Sequence, residues 1–231
     1  MNLRLFQRSL VFALSLALGV LSVGSAHAIS LSFENISNNL AANAAIGEAQ
    51  LFVDVTDPGG NQVLFTFSNI GLSNSSITDI YFDDGSLLGI ATLIDADDGV
   101  GGDPLVDFSV GANPPDLPSG NSANPNFVVT VGFSADSDSP PPQNGVQPGQ
   151  TLGILFDLEV GGTFDDVIDQ LTDASLRIGI HVQGFEAGGT EEFPGGSESF
   201  VNTPIPEPSA AVLFAVGALV VGTATRRRLQ G

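Results

Sequence analysis

The densest run of oxygen ligands in this 231-residue chain is Asp95-Ala96-Asp97-Asp98-Gly99-Val100-Gly101-Gly102-Asp103. Calcium is a hard cation that collects several oxygens from a flexible loop, and aspartates interleaved with glycines supply side-chain and carbonyl oxygens at short spacing. Asp95, Asp97, Asp98 and Asp103 are therefore the candidate metal ligands, and calcium is the one cofactor the sequence supports. The competing reading is a solvated acidic turn. An EF-hand loop would need an acidic or amide residue at its fifth position and glutamate at its twelfth, where this stretch has Gly99 and Val106. The glycine-aspartate nonapeptide repeat is absent as well. Tyr81-Phe82-Asp83-Asp84-Gly85 is a weaker version of the same idea, with a strand end and turn as its plainer explanation.

Other chemistry is sparse. There is no cysteine, and after the first 28 residues the single histidine is His181, so zinc has few of its usual ligands. No Gly-x-Ser-x-Gly elbow is present to support serine hydrolysis. Carboxylates are too abundant for any pair to stand out as a glycosidase dyad, and Tyr81 is the only tyrosine or tryptophan available as a sugar platform. The expectation is a protein without catalytic activity.

The elements that would position these groups are mostly strands. Period-two alternation places Leu31 and Phe33, then Leu51, Val53 and Val55, then Val63, Phe65 and Phe67 on buried faces. Asp57-Pro58-Gly59-Gly60-Asn61 predicts a hairpin between the last two. Further strands are predicted at 77–83, 87–94, 127–134, 152–159 and 176–182, with Phe200 and Val201 closing the sheet. His181 falls on the polar side of its strand, beside Arg177, Gly179 and Gln183, and is expected to be half-exposed. One short helix is predicted after Thr163, with Asp166 completing a capping box and Phe164, Val167, Ile168 and Leu171 forming its apolar stripe. This helix would cover an open edge or end of the sheet. The pattern predicts an all-β fold: an antiparallel β-sandwich, jelly-roll or immunoglobulin-like. Proline-rich loops at 99–126 and 136–150 exclude central strands and read as surface loops or a binding edge.

Both ends of the chain carry addresses. Arg4 and Arg8 precede an apolar run from Leu10 to Val23, and Ala26-His27-Ala28 fits cleavage between Ala28 and Ile29 by signal peptidase. Near the other end come Pro206-Glu207-Pro208, an uncharged apolar run from Ser209 to Thr225, and Arg226-Arg227-Arg228. Seventeen helical residues would extend about 25 Å, close to the thickness of a hydrocarbon core, with the arginines stopping transfer on the cytoplasmic side. The expected organisation is a signal peptide (1–28), an extracytoplasmic domain (29–202), a flexible link with the Pro-Glu-Pro motif (203–208), a transmembrane helix (209–225) and a basic tail (226–231). All but one of the 26 acidic residues lie between Ile29 and Ile205, against Arg177 as the only basic side chain in that region. So negative a body repels nucleic acid, which excludes it as a partner, and attracts cations.

The tail resembles the PEP-CTERM sorting signal of bacterial exosortase substrates, matching motif, apolar span and arginine cluster in order and spacing. The body is similar to extracellular domains that accompany such tails, through Ser75 to Asp83, Gly111 to Pro118 and Leu176 to Gln183. The resemblance implies that Pro206, Glu207 and Pro208 are read by a membrane-embedded exosortase that cuts nearby. It further implies an exported protein, held in the inner membrane as a precursor and then placed at the cell surface or in the extracellular matrix, with exopolysaccharide as a potential partner. Two alternatives stand beside it: a calcium-assisted carbohydrate-binding or adhesion module, and a permanently anchored single-pass membrane protein.

Overall fold

A computed structural model describes residues 28–83, 88–94, 105–129, 133–159, 161–185 and 196–204. Ten strands form one continuous sheet: β1 (Ala28–Asn35), β2 (Leu51–Thr56), β3 (Gln62–Asn69), β4 (Ser76–Asp83), β5 (Leu88–Ile94), β6 (Phe108–Val110), β7 (Ser134–Ser137), β8 (Thr151–Leu158), β9 (Arg177–Gln183) and β10 (Glu198–Pro204). Their order is β5-β8-β3-β2-β1-β10-β9-β4-β7-β6, with every neighbouring pair antiparallel. The all-β antiparallel expectation holds, but the two layers are halves of a single sheet that curls upon itself. Phe65 on β3 and Phe82 on β4, five places apart in the sheet, meet edge to face at 5.2 Å. Phe156 on β8 stacks edgewise on Phe82 at 4.9 Å and on Phe133 at 5.1 Å. Such ring pairs add roughly 0.5–1.5 kcal/mol each beyond the burial of their area.

The inner face follows the alternation: Leu31, Val53, Phe65, Ile154, Ile180 and Phe200 are all fully buried. On β4 the register slips between Ile77 and Asp79, so Ile77 joins Ile80 and Phe82 inside although its number has the other parity. The hairpin at 57–61 connects β2 and β3 as predicted.

Two helices accompany the sheet, one packed against β1 and β10 and the other against β3. The expected helix is α2 (Phe164–Asp173), which joins β8 to β9; Thr163 Oγ1 accepts from the Asp166 amide at 3.2 Å, and Asp166 accepts in return from the Thr163 amide at 2.9 Å. The other, α1 (Ala41–Gln50), corrects the expectation of one helix. Its sequence hides it for two physical reasons. No side chain at Leu40 caps it; instead Glu198, from β10, accepts from the Leu40 amide at 2.7 Å and the Asn39 amide at 3.1 Å. Gly47 interrupts the helical pattern because a Cβ there would lie 2.2 Å from Phe200 Cζ, so the glycine lets the helix press on the core.

Three further expectations change. The strand predicted at 127–134 does not form over Phe127–Val129; Phe127 donates its amide to Gly120 O and buries its ring against the outer face, and β7 starts only at Ser134. Phe200 and Val201 do not close an edge, because β10 lies mid-sheet between β1 and β9. The link expected from residue 203 begins later: Thr203 pairs with Ser32 and Pro204 with Leu31, so β10 runs to Pro204. Among the described residues no helix is long and apolar enough to cross a membrane.

Candidate functional site

Most residues singled out from the sequence, namely Asp95, Asp97, Asp98 and Asp103, Pro206, Glu207 and Pro208, and Arg226, Arg227 and Arg228, lie outside the described residues. So do the apolar run Ser209 to Thr225 and residues 1–27. Ala28 and Ile29 open β1, paired with Thr56 and Val55. No cluster of three or more histidine or acidic side chains able to hold a metal occurs among the described residues.

The described chemistry is concentrated on the outer face of β1, β10, β9, β4 and β7. Register aligns it in rows: Asp83 opposite Arg177; Tyr81 opposite Gly179, then Val201 and Glu34; Asp136 opposite Asp79, then His181 and Ser199. The proline-rich segment 112–129 covers the middle row. Leu117 and Phe127 fill the space above Gly179, where a Cβ would come within 2.6 Å of Leu117 and 2.9 Å of Phe127. With Tyr81, Ala112, Ala123 and Val201 they make a second apolar cluster, separate from the main core. The segment is therefore a fixed lid over one face of the sheet.

Polar bonds hold the lid at its rim. Tyr81 donates its hydroxyl to Pro114 O at 2.9 Å. Arg177 donates to Pro125 O at 2.5 Å and Asn126 O at 2.6 Å, pairs with Asp83, and lies 5.4 Å above the Phe127 ring. Asp83 also accepts from the Val128 amide at 3.2 Å. Arg177 is thus committed: its charge is neutralised by Asp83 and its donors grip the lid. A buried, paired arginine with satisfied hydrogen bonds is what such a site requires.

Below the rim, the Asp136–Asp79–His181 row can hold a proton. His181 is only 13% exposed, less than the half expected, and its Nδ1 meets Asp79 Oδ2 at 3.0 Å. Thr78 Oγ1 donates to the same oxygen at 2.9 Å, while Asp79 Oδ1 is buried without a partner. Burial first, then the facing Asp79 carboxylate and the hydrogen bond to it, push Asp136 up to about 6; Asp138 adds to the rise and His181 opposes it. A proton on Asp136 converts two repelling acceptors into a donor and an acceptor. Burial, reinforced by Asp79, Asp136 and Asp116, holds the Tyr81 hydroxyl far above its usual range, so it remains a neutral donor.

Beside the lid, on the other side of Arg177, lies an open groove of about 450 Å³. It is lined by Glu34, Asn35 and Asn38, by Ser122, Asn124 and Pro125 from the lid, and by Val201, Asn202 and Thr203 of β10. Asn35 is tied to Glu198 at 3.2 Å, and Asn202 Oδ1 accepts from the Ile178 amide at 2.6 Å. The Asn124 amide, the Asn202 Nδ2 and the Glu34 carboxylate bond to nothing among the described residues. The sequence reading named none of these groups. Asparagine is common in turns, and only the pairing of β1 with β10 brings Glu34 opposite Val201, one residue before Asn202. Comparison with known protein families, curated proteins and solved structures finds no match.

Proposed function

We propose that the chain is the precursor of an exported, acidic surface or extracellular-matrix protein without catalytic activity, sorted and processed by an exosortase through Pro206-Glu207-Pro208. The three-part tail together with a signal peptide carries this reading. The arrangement of the body supports it: β1 starts and β10 ends at the same end of adjacent central strands, so both addressing segments join the body side by side. Only Ile205 separates the last strand residue from the motif, a reach of no more than about 7 Å, which keeps the cleavage region next to the folded body. The curled sheet then serves as a two-layered scaffold in the manner of jelly-roll and immunoglobulin-like sandwiches, outside the membrane once the tail is removed.

The test is the Glu207→Gln precursor expressed in its own cell. It is expected to accumulate at full length in the inner membrane, detected by size and fractionation. Processing and placement identical to the unaltered chain would overturn the sorting proposal. Mass spectrometry of the native protein separates permanent anchoring from it, since an intact end through Arg226 to Gly231 requires an uncut tail.

A further inference from the structure

We propose that the groove between the β1–β10 outer face and the rim of the lid is a binding site for a neutral, polyhydroxylated ligand of the oligosaccharide class, engaged without a metal. The proposal goes beyond sorting and does not depend on it.

The first argument is the complement of free groups. Sugar hydroxyls both donate and accept, so a site for them needs donors and acceptors close together. The groove has both: the Asn124 amide and the Asn202 Nδ2 as donors, and the Glu34 carboxylate as acceptor. Apolar surface from Val201 and Pro125 lies among them, suited to the C–H faces of a sugar ring. Its volume falls within the roughly 300–1,000 Å³ usual for small-ligand sites.

Charge selects the class of ligand. Arg177 borders the groove but is already paired with Asp83, leaving no cation for a uronate, sulfate or phosphate. The surrounding body, with Arg177 as its only basic side chain between Ile29 and Ile205, repels polyanions at long range. A cationic ligand would meet the Glu34 carboxylate but offer no acceptor to the two amide donors.

Preorganisation completes the case. Arg177 fixes the Pro125–Asn126 rim, the Ile178 amide fixes Asn202, and Glu198 fixes Asn35, so the walls need little ordering when a ligand enters. Without an aromatic platform the affinity expected is of the order of millimolar.

The full-length chain in detergent is examined by saturation-transfer difference NMR with cellotetraose, maltotetraose, mannotetraose and chitotetraose, and with a mannuronate tetramer, each at about 2 mM. Transfer to at least one neutral tetrasaccharide is expected, unaffected by a chelator and absent for the mannuronate. Glu34 and Asn124 are exposed and carry no structural bond among the described residues, so Glu34→Gln and Asn124→Ala keep the fold. Each is expected to weaken binding by roughly fivefold, the worth of one hydrogen bond. The proposal is overturned by no transfer to any neutral tetrasaccharide, by mannuronate binding as well as they do, by loss of transfer in chelator, or by unchanged binding in both variants.

Discussion

Asp136 shows how a single side chain can set a pH dependence. Its folded pKa of about 6 lies above the ordinary 3.8, so between those values the folded chain holds a proton that the unfolded chain has released. Stability must then fall as pH rises through this window and stay lower above it. Asp136→Asn supplies the donor permanently. It is expected to raise the melting temperature at pH 8 by about 3 °C, a gain of about 1 kcal/mol after discounting for solvent screening, and to have no effect at pH 4. Equal shifts at both pH values in calorimetry would refute this account. His181 belongs to the same row, and its sequence position disclosed its face but not its partner. Asp79 lies 102 residues earlier, and only the alignment of β4 with β9 sets the two side by side.

At the scale of elements, what could be read depended on whether the stabilising partner was local. Helix α2 was legible because Thr163 and Asp166 cap each other within one turn and Phe164, Val167 and Leu171 repeat at helical spacing. Helix α1 was not, since its cap is a carboxylate 158 residues away and its closest packing is made by a glycine. Strands β1, β2, β3 and β8 were legible from alternation over one buried face. Strand β4, buried on both faces beneath the lid, lost the alternation at its bulge. The groove was hidden for the same reason as α1, its walls coming from segments far apart in the chain. Glu198 is the test of the remote cap. Fully buried, it accepts from Asn35, Ser37, Asn39 and Leu40, and Glu198→Ala leaves these donors unmatched. A loss of about 3 kcal/mol or more in denaturant unfolding is expected, with faster hydrogen exchange at Asn39 and Leu40. Normal protection of those amides in the variant would show that α1 does not need its cap.

For the molecule as a whole, charge and topology set the behaviour. A body with a single arginine among its acids repels itself, and added salt shortens the range of that repulsion from about 20 Å to about 4 Å between 0.02 and 0.5 M. The melting temperature is expected to rise by several degrees over this range; a fall would mean that screened attractions outweigh repulsion. Topology bears on the order of events. Strand β1 is the first described strand of the body in chain order and β10 the last, yet the two are partners: Ser32 bonds Thr203 at 3.0 Å across 171 residues of sequence. Until residues 198–204 have been made, β1 has only β2 beside it, and no pairing of the named strands joins the two halves of the sheet, which meet only through core contacts such as Phe65 with Phe82. The sheet is therefore completed only by its last strand, and on the export route proposed above the polypeptide would cross without its finished fold and lock when residues 198–204 arrive.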